Sequence, residues 1–141
     1  MFDLYGIYLH IPYCRAKCRY CDFYSAPGAR GVPHAYVSAL LRELAKNDRR
    51  PDTLYFGGGT PALLSPAQVE SLIAAANPLP GAEITLEANP DVVMQESLAG
   101  FRAAGVTRIS FGVQSAIGMG TTFWFVMNDL PANAAEMAGQ E

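Results

Sequence analysis

Short apolar runs that stop at proline or glycine alternate along this chain with stretches whose apolar residues recur at helical spacing. Leu4 to Ile11 is rich in β-branched and aromatic residues and halts at Pro12, which predicts a first strand. From His34 to Asn47, Val37, Leu40, Leu41 and Leu44 fall on one helical face. Thr53 to Phe56 reads as a short buried strand that runs into Gly57-Gly58-Gly59-Thr60-Pro61. Ser65, Pro66 and Gln68 form a helix start with a Ser-x-x-Gln capping box, and Val69, Leu72, Ile73 and Ala76 continue as one apolar stripe. A third strand is expected from Ile84 to Ala88, broken at Asn89-Pro90. A third helix follows from about Met94 to Ala104, with Gly105 as a left-handed cap, and Thr107 to Val113 gives a fourth strand. Repeated β-then-α units imply an α/β fold, a parallel sheet with helices packed outside it. Functional groups of such sheets gather at the carboxyl ends of the strands. The loop after the first strand, the glycine run, Glu87 and Gln114 all belong near those ends.

Length and charge narrow the choices. A complete eight-stranded α/β barrel takes roughly 250 residues, so 141 residues leave room for one domain and one core. Half of the residues are apolar and only 16% are charged, a balance that folds rather than staying disordered. A net charge of −3 argues against a nucleic-acid footprint. The apolar runs are too short to span a bilayer, and Met1-Phe2-Asp3-Leu4 lacks the basic start and long apolar core of a secretory signal. The cytoplasm is therefore the expected location.

All three cysteines, Cys14, Cys18 and Cys21, stand in one loop. An odd, tightly clustered set is a poor disulfide framework, so their expected task is to hold a metal centre. The spacing Cys14-x3-Cys18-x2-Cys21 supplies three thiolates, enough for three irons of a [4Fe–4S] cube with the fourth left open to a small ligand. The alternative is zinc with His10 or His34 as fourth ligand, although structural zinc sites usually pair two Cys-x2-Cys units and no second unit exists.

The run Tyr8-Leu9-His10-Ile11-Pro12-Tyr13-Cys14-x3-Cys18-x-Tyr20-Cys21-Asp22-Phe23 resembles the signature of the radical S-adenosylmethionine superfamily. Within it, the resemblance is to the group that contains oxygen-independent coproporphyrinogen III oxidase and the related haem chaperone. Phe56-Gly57-Gly58-Gly59-Thr60-Pro61, Leu86-Glu87-Ala88-Asn89-Pro90 and Arg108-Ile109-Ser110-Phe111-Gly112-Val113-Gln114-Ser115 fit the same group in the same order, so the likeness covers residues 4 to 115. It implies the N-terminal part of a partial (β/α) barrel, ending after about four strands. Cys14, Cys18 and Cys21 resemble the cluster ligands, and Tyr20 fills the aromatic position near the cluster. Gly58, Gly59 and Thr60 match the strand end that receives the methionine part of S-adenosylmethionine, where bare backbone approaches a ligand and offers N–H groups. Tyr8, Glu87 and Gln114 match further polar contacts to that cofactor. On residue type alone, Tyr8 and Tyr20 read equally as core aromatics, the glycine run as a tight turn and Glu87 as a solvated acid. His10 reads as a maker of a structural hydrogen bond.

The resemblance further implies reductive cleavage of S-adenosylmethionine on the cluster, giving a 5′-deoxyadenosyl radical, with the protein orienting the reactants and excluding water. It also implies an electron donor such as a flavodoxin or ferredoxin-type protein. The oxidase pattern places another cysteine two residues after the third, where this chain has Cys21-Asp22-Phe23. That form resembles the haem chaperone branch, whose partners are haem and haem-acceptor proteins and in which decarboxylation of coproporphyrinogen is not expected. Beyond Ser115 the match departs. Thr121 to Met127 is an apolar, strand-like run where a helix is due, and Asn128 to Glu141 is polar and alanine-rich. The division expected is 1–115 as the N-terminal part of the core domain and 116–141 as a divergent tail, truncated or frameshifted, with haem binding a property of a full-length parent. Half a barrel would leave an unpaired parallel edge, so aggregation or instability is expected.

Overall fold

The structure is a computed structural model, and it describes residues 4–14, 31–89, 95–114 and 122–128, with the side chains of 95–96, 112–114 and 122–128 left aside. Four strands, β1 (Gly6–Ile11), β2 (Thr53–Gly58), β3 (Glu83–Ala88) and β4 (Arg108–Gln114), lie side by side in chain order and pair in parallel. Between them run α1 (His34–Ala45), α2 (Pro66–Ala76) and α3 (Gln95–Ala104). A parallel pair needs a crossover, and each helix supplies one.

The alternation of each strand separates two chemistries. Leu9 and Ile11, Leu54 and Phe56, Ile84 and Leu86, and Ile109 point to one face and are buried. Val69 and Leu72 of α2, Phe101 of α3 and Val37 and Leu44 of α1 close over that face to make the core. The opposite face carries Tyr8, Tyr55, Thr85 and Arg108 as one cross-strand row. That second face carries the candidate site.

The elements begin and end where the sequence signals them. Ser65 accepts the Gln68 N–H at 3.1 Å while the Gln68 side chain accepts the Ser65 N–H at 2.9 Å, closing the expected capping box. The Gln68 amide nitrogen also donates to Val32 at 3.0 Å, tying the start of α2 to the approach to α1. Ser65→Ala removes one half of this box. It is expected to lower unfolding stability by about 1 kcal/mol, read as a shift of the urea midpoint. The helix α2 ends on Asn77 in the left-handed region (φ 50°), and Gly105 after α3 also has positive φ (118°). The expected helix to Asn47 is shorter, stopping at Ala45, and β2 runs on through Gly57 and Gly58.

The run after Ser115 corrects one expectation. Residues Thr122–Asn128 form a fifth strand, β5, paired antiparallel to the full length of β4, from Arg108 opposite Asn128 to Gln114 opposite Thr122. The strand-like reading of this run holds. At β4 the expected unpaired parallel edge is covered, because β5 satisfies its outer hydrogen-bonding groups, while β1 ends the sheet on the other side among the described residues. Among the described residues no helix is long and apolar enough to cross a membrane.

Candidate functional site

Each parallel strand delivers one motif to the same rim. Cys14 lies just past β1, Gly58 ends β2 with Gly59 and Thr60 directly after it, Glu87 is the penultimate residue of β3, and Gln114 is the last residue of β4. Cys18, Tyr20 and Cys21 lie outside the described residues, and Gln114 is placed by its backbone alone. Among the described residues no group of three or more His, Cys, Asp and Glu side chains is assembled for a metal.

The turn after β1 is fastened to the turn after β2. Gly59 N–H donates to the Ile11 carbonyl at 2.8 Å, and Thr60 N–H donates to the Tyr13 carbonyl at 2.7 Å. The expectation that this glycine segment offers free N–H groups is thereby corrected for these two, which are spent on holding the cysteine-bearing turn. What the segment provides is proximity. A Cβ at Gly59 would sit 2.7 Å from Cys14 Sγ and 2.6 Å from the Tyr13 carbonyl oxygen, so the absence of a side chain lets the sulfur rest on backbone. Gly58 has φ 115°, which a side chain would strain, and a Cβ there would meet the His10 ring at 2.9 Å. Cys14 is buried and free of any disulfide. Thr60 is also buried, and its hydroxyl accepts from the Asn89 side-chain amide at 3.3 Å.

A second anchor comes from α1. The Tyr36 hydroxyl donates to the His10 carbonyl at 2.5 Å, and the Tyr36 ring stands edge-on to Tyr13 at 5.4 Å. Burial, and then the neighbouring Tyr13 and Tyr8 hydroxyls, raise the Tyr36 pKa, so it stays a neutral donor at physiological pH. The strand end that leads into Cys14 is thus held from β2 on one side and α1 on the other.

Beside this turn stands an aromatic and acidic group. Tyr8 is 56% exposed, which removes the core-aromatic reading for it. Its hydroxyl pairs with His10 Nδ1 at 3.1 Å, the structural hydrogen bond expected of that histidine. The Tyr8 ring stacks on Tyr55 with centroids 5.9 Å apart, and the Tyr55 hydroxyl donates to Glu87 Oε1 at 2.6 Å. Glu87 is therefore half-buried and engaged rather than an idle surface acid. Desolvation first, then the hydrogen bond to Glu87 and its negative charge, push the Tyr55 pKa up to about 12, against a smaller lowering by Ser110. Because the folded chain holds this proton above the ordinary tyrosine value of 10.0, the associated stability is complete below that pH and is lost as pH climbs towards 12.

Tyr55 is the residue that reading the sequence motif by motif misses. The signal was available: in Leu54-Tyr55-Phe56-Gly57, Tyr55 is out of phase with the two buried apolar residues and in phase with the glycine. A bulky hydroxyl-bearing side chain on the polar face of a core strand has to bond something there.

A parallel sheet with outer helices and a polar rim at its strand ends defines the class of barrel-type α/β proteins that work at that rim. The chain belongs to the radical SAM superfamily, whose family model matches residues 8–116. It is 46% identical over 121 residues to the Heme chaperone HemW of Escherichia coli (strain K12), covering 78% of this chain and 32% of that protein. To the Heme chaperone HemW of Mycobacterium tuberculosis (strain ATCC 25618 / H37Rv) it is 40% identical over 123 residues, 79% of this chain and 32% of the relative. It is also 43% identical over 120 residues to the mitochondrial Radical S-adenosyl methionine domain-containing protein 1 of Bos taurus, covering 78% of this chain and 27% of the relative. Among solved structures, coproporphyrinogen III oxidase (HemN) from Escherichia coli, a radical SAM enzyme, matches with a TM-score of 0.67 at 30% identity, over 80% of this chain and 28% of that one. The chain spans about a third of the length of the curated relatives it matches.

Proposed function

We propose that this chain is the cluster- and cofactor-binding part of a haem-trafficking protein of the haem chaperone type. The observation that carries the reading is the seating of Cys14 Sγ against Gly59, beside the sheet face on which Tyr55 links Tyr8 to Glu87. Soft thiolates suit an iron–sulfur cluster, and a backbone cradle that a Cβ would fill suits one sulfur of it. Cys14, Cys18 and Cys21 would hold the [4Fe–4S] cluster, with Tyr20 alongside. Gly58, Gly59, Thr60, Tyr8, Glu87 and Gln114 would hold S-adenosyl-L-methionine. When bound, the pair supplies one-electron cleavage of the sulfonium and a carbon radical.

The chain's own residues fix the geometry. The Gly59 and Thr60 amides hold the cysteine turn against β2, and Tyr36 holds its approach. Glu87 keeps acceptor capacity on its carboxylate beyond the Tyr55 bond, which suits a ligand rich in hydroxyl and ammonium donors. The same reading takes 1–115 as the core segment and 116–141 as a divergent one. It also places the protein in a reducing cytoplasm, where thiolates stay unoxidised and an electron donor is at hand.

The first test is anaerobic reconstitution with iron and sulfide, followed by metal analysis and electron paramagnetic resonance. About four irons per chain are expected, the content of one cubane, and a single zinc instead overturns the reading. For the branch, the longer protein that carries this segment is expected to bind haem and form no protoporphyrinogen under anaerobic assay. The similarity to the Cys-Asp-Phe form and the curated haem chaperones favours that outcome. Turnover of coproporphyrinogen would assign the oxidase activity instead.

A further inference from the structure

Tyr55 touches the strands on both sides of its place on β2. Its ring stacks on Tyr8 of β1 at an interplanar angle of 17°, and its hydroxyl donates to Glu87 of β3 at 2.6 Å. Gly57, two residues on and on the same face, leaves room for this arrangement. A Cβ there would lie 2.9 Å from Tyr55 Cε1 and 2.7 Å from Tyr8 Cε2. The ring is therefore confined between Tyr8 and the Gly57 backbone, and its hydroxyl has a fixed position. A short hydrogen bond to an ionised acceptor from so confined a donor sets where one carboxylate oxygen sits. The other oxygen is left with its lone pairs for a ligand.

We propose that Tyr55 is a positioning residue, whose hydroxyl fixes the Glu87 carboxylate at the rim so that it accepts hydrogen bonds from the donor groups of S-adenosyl-L-methionine. The inference rests on the cofactor reading of the rim given above. It adds a residue that touches no cofactor atom and acts through Glu87. The raised Tyr55 pKa agrees with it, since the neutral phenol is the form that donates. Tyr55→Phe keeps the ring against Tyr8 and below Gly57 and removes only the donor.

The test is a double-mutant cycle on S-adenosyl-L-methionine binding to the anaerobically reconstituted chain, measured by equilibrium dialysis for wild type, Tyr55→Phe, Glu87→Gln and the double variant. Tyr55→Phe is expected to weaken binding roughly 3- to 10-fold, the span of one net hydrogen bond. The double variant should bind no worse than Glu87→Gln alone, because the carboxylate that the hydroxyl positions is already gone. A parallel readout needs no cofactor. Tyrosine ring-carbon NMR on the unreconstituted chain, with the Tyr55 signal assigned by its loss in Tyr55→Phe, should show the phenol titrating at lower pH in Glu87→Gln than in wild type. Unchanged binding in Tyr55→Phe, or losses that simply add in the double variant, would overturn the positioning role and leave the rim reading standing. A wild-type chain that takes up its cluster and binds no S-adenosyl-L-methionine would overturn both.

Discussion

Gly59→Ala is expected to take up less than a quarter of the wild-type iron on anaerobic reconstitution, in a chain that still unfolds cooperatively. The new methyl group has nowhere to go. It would stand 2.6 Å from the Tyr13 carbonyl oxygen, 3.0 Å from the Tyr13 carbonyl carbon and 2.7 Å from Cys14 Sγ. Two of those three neighbours are backbone, and that backbone is tied down by Gly59 N–H to Ile11 and Thr60 N–H to Tyr13. Relief comes either by pushing Cys14 away or by breaking one of these bonds, and both displace the sulfur. The penalty is of the size of local overpacking, about 1–3 kcal/mol, which a folded domain survives. A ligand sulfur displaced by even a fraction of an ångström does not survive it as a ligand, since metal–sulfur distances tolerate about 0.2 Å. The control is Gly81→Ala. Gly81 has φ 80° with nothing within 4 Å of its would-be Cβ, so the same substitution there strains a turn and should leave iron uptake unchanged. Full iron content in Gly59→Ala would mean that Cys14 does not hold the cluster from the position it occupies here.

The strand-and-helix order was legible in the residues because each element carries its own stop and start. Pro12, the glycine run, the Ser65 box and Gly105 mark boundaries by backbone chemistry that does not depend on the rest of the fold. The parallel pairing and the shared rim at the strand ends followed from the β-then-α repeat. Two things were not legible. Local sequence showed that Thr121 to Met127 is strand-like, but not that Thr122–Asn128 folds back antiparallel onto β4, because pairing is a long-range choice. Nor did it show that the amides of Gly59 and Thr60 are consumed by carbonyls of the cysteine turn, which takes register between β1 and β2 to know. Motif likeness pointed to Tyr8 and Glu87 but passed over Tyr55, the side chain that joins them, since a residue that acts through its neighbours leaves no motif of its own.

Phe56→Ala separates the two faces of the strand on which Tyr55 stands. Phe56 is fully buried, paired in register with Leu9 of β1 on one side and Leu86 of β3 on the other, and it belongs to the same core as Leu54 and Phe101. Removing its ring leaves a cavity that flanking strands, fixed by their ladders, close only in part. The expected loss is about 3–5 kcal/mol, a large fraction of the roughly 5–15 kcal/mol that holds a domain together. The urea midpoint should fall accordingly with the slope of the transition unchanged. Tyr55→Phe, one residue away and on the opposite face, deletes a single hydroxyl from a half-buried ring and should move that midpoint far less while it weakens cofactor binding. The contrast follows from a strand period of two: neighbouring residues answer to different masters, one to the core beneath the helices and one to the rim. A midpoint for Phe56→Ala within experimental error of wild type would show that the sheet is not sealed by α2 and α3 as described, and that β2 presents its glycine end from a looser support than its ladders indicate.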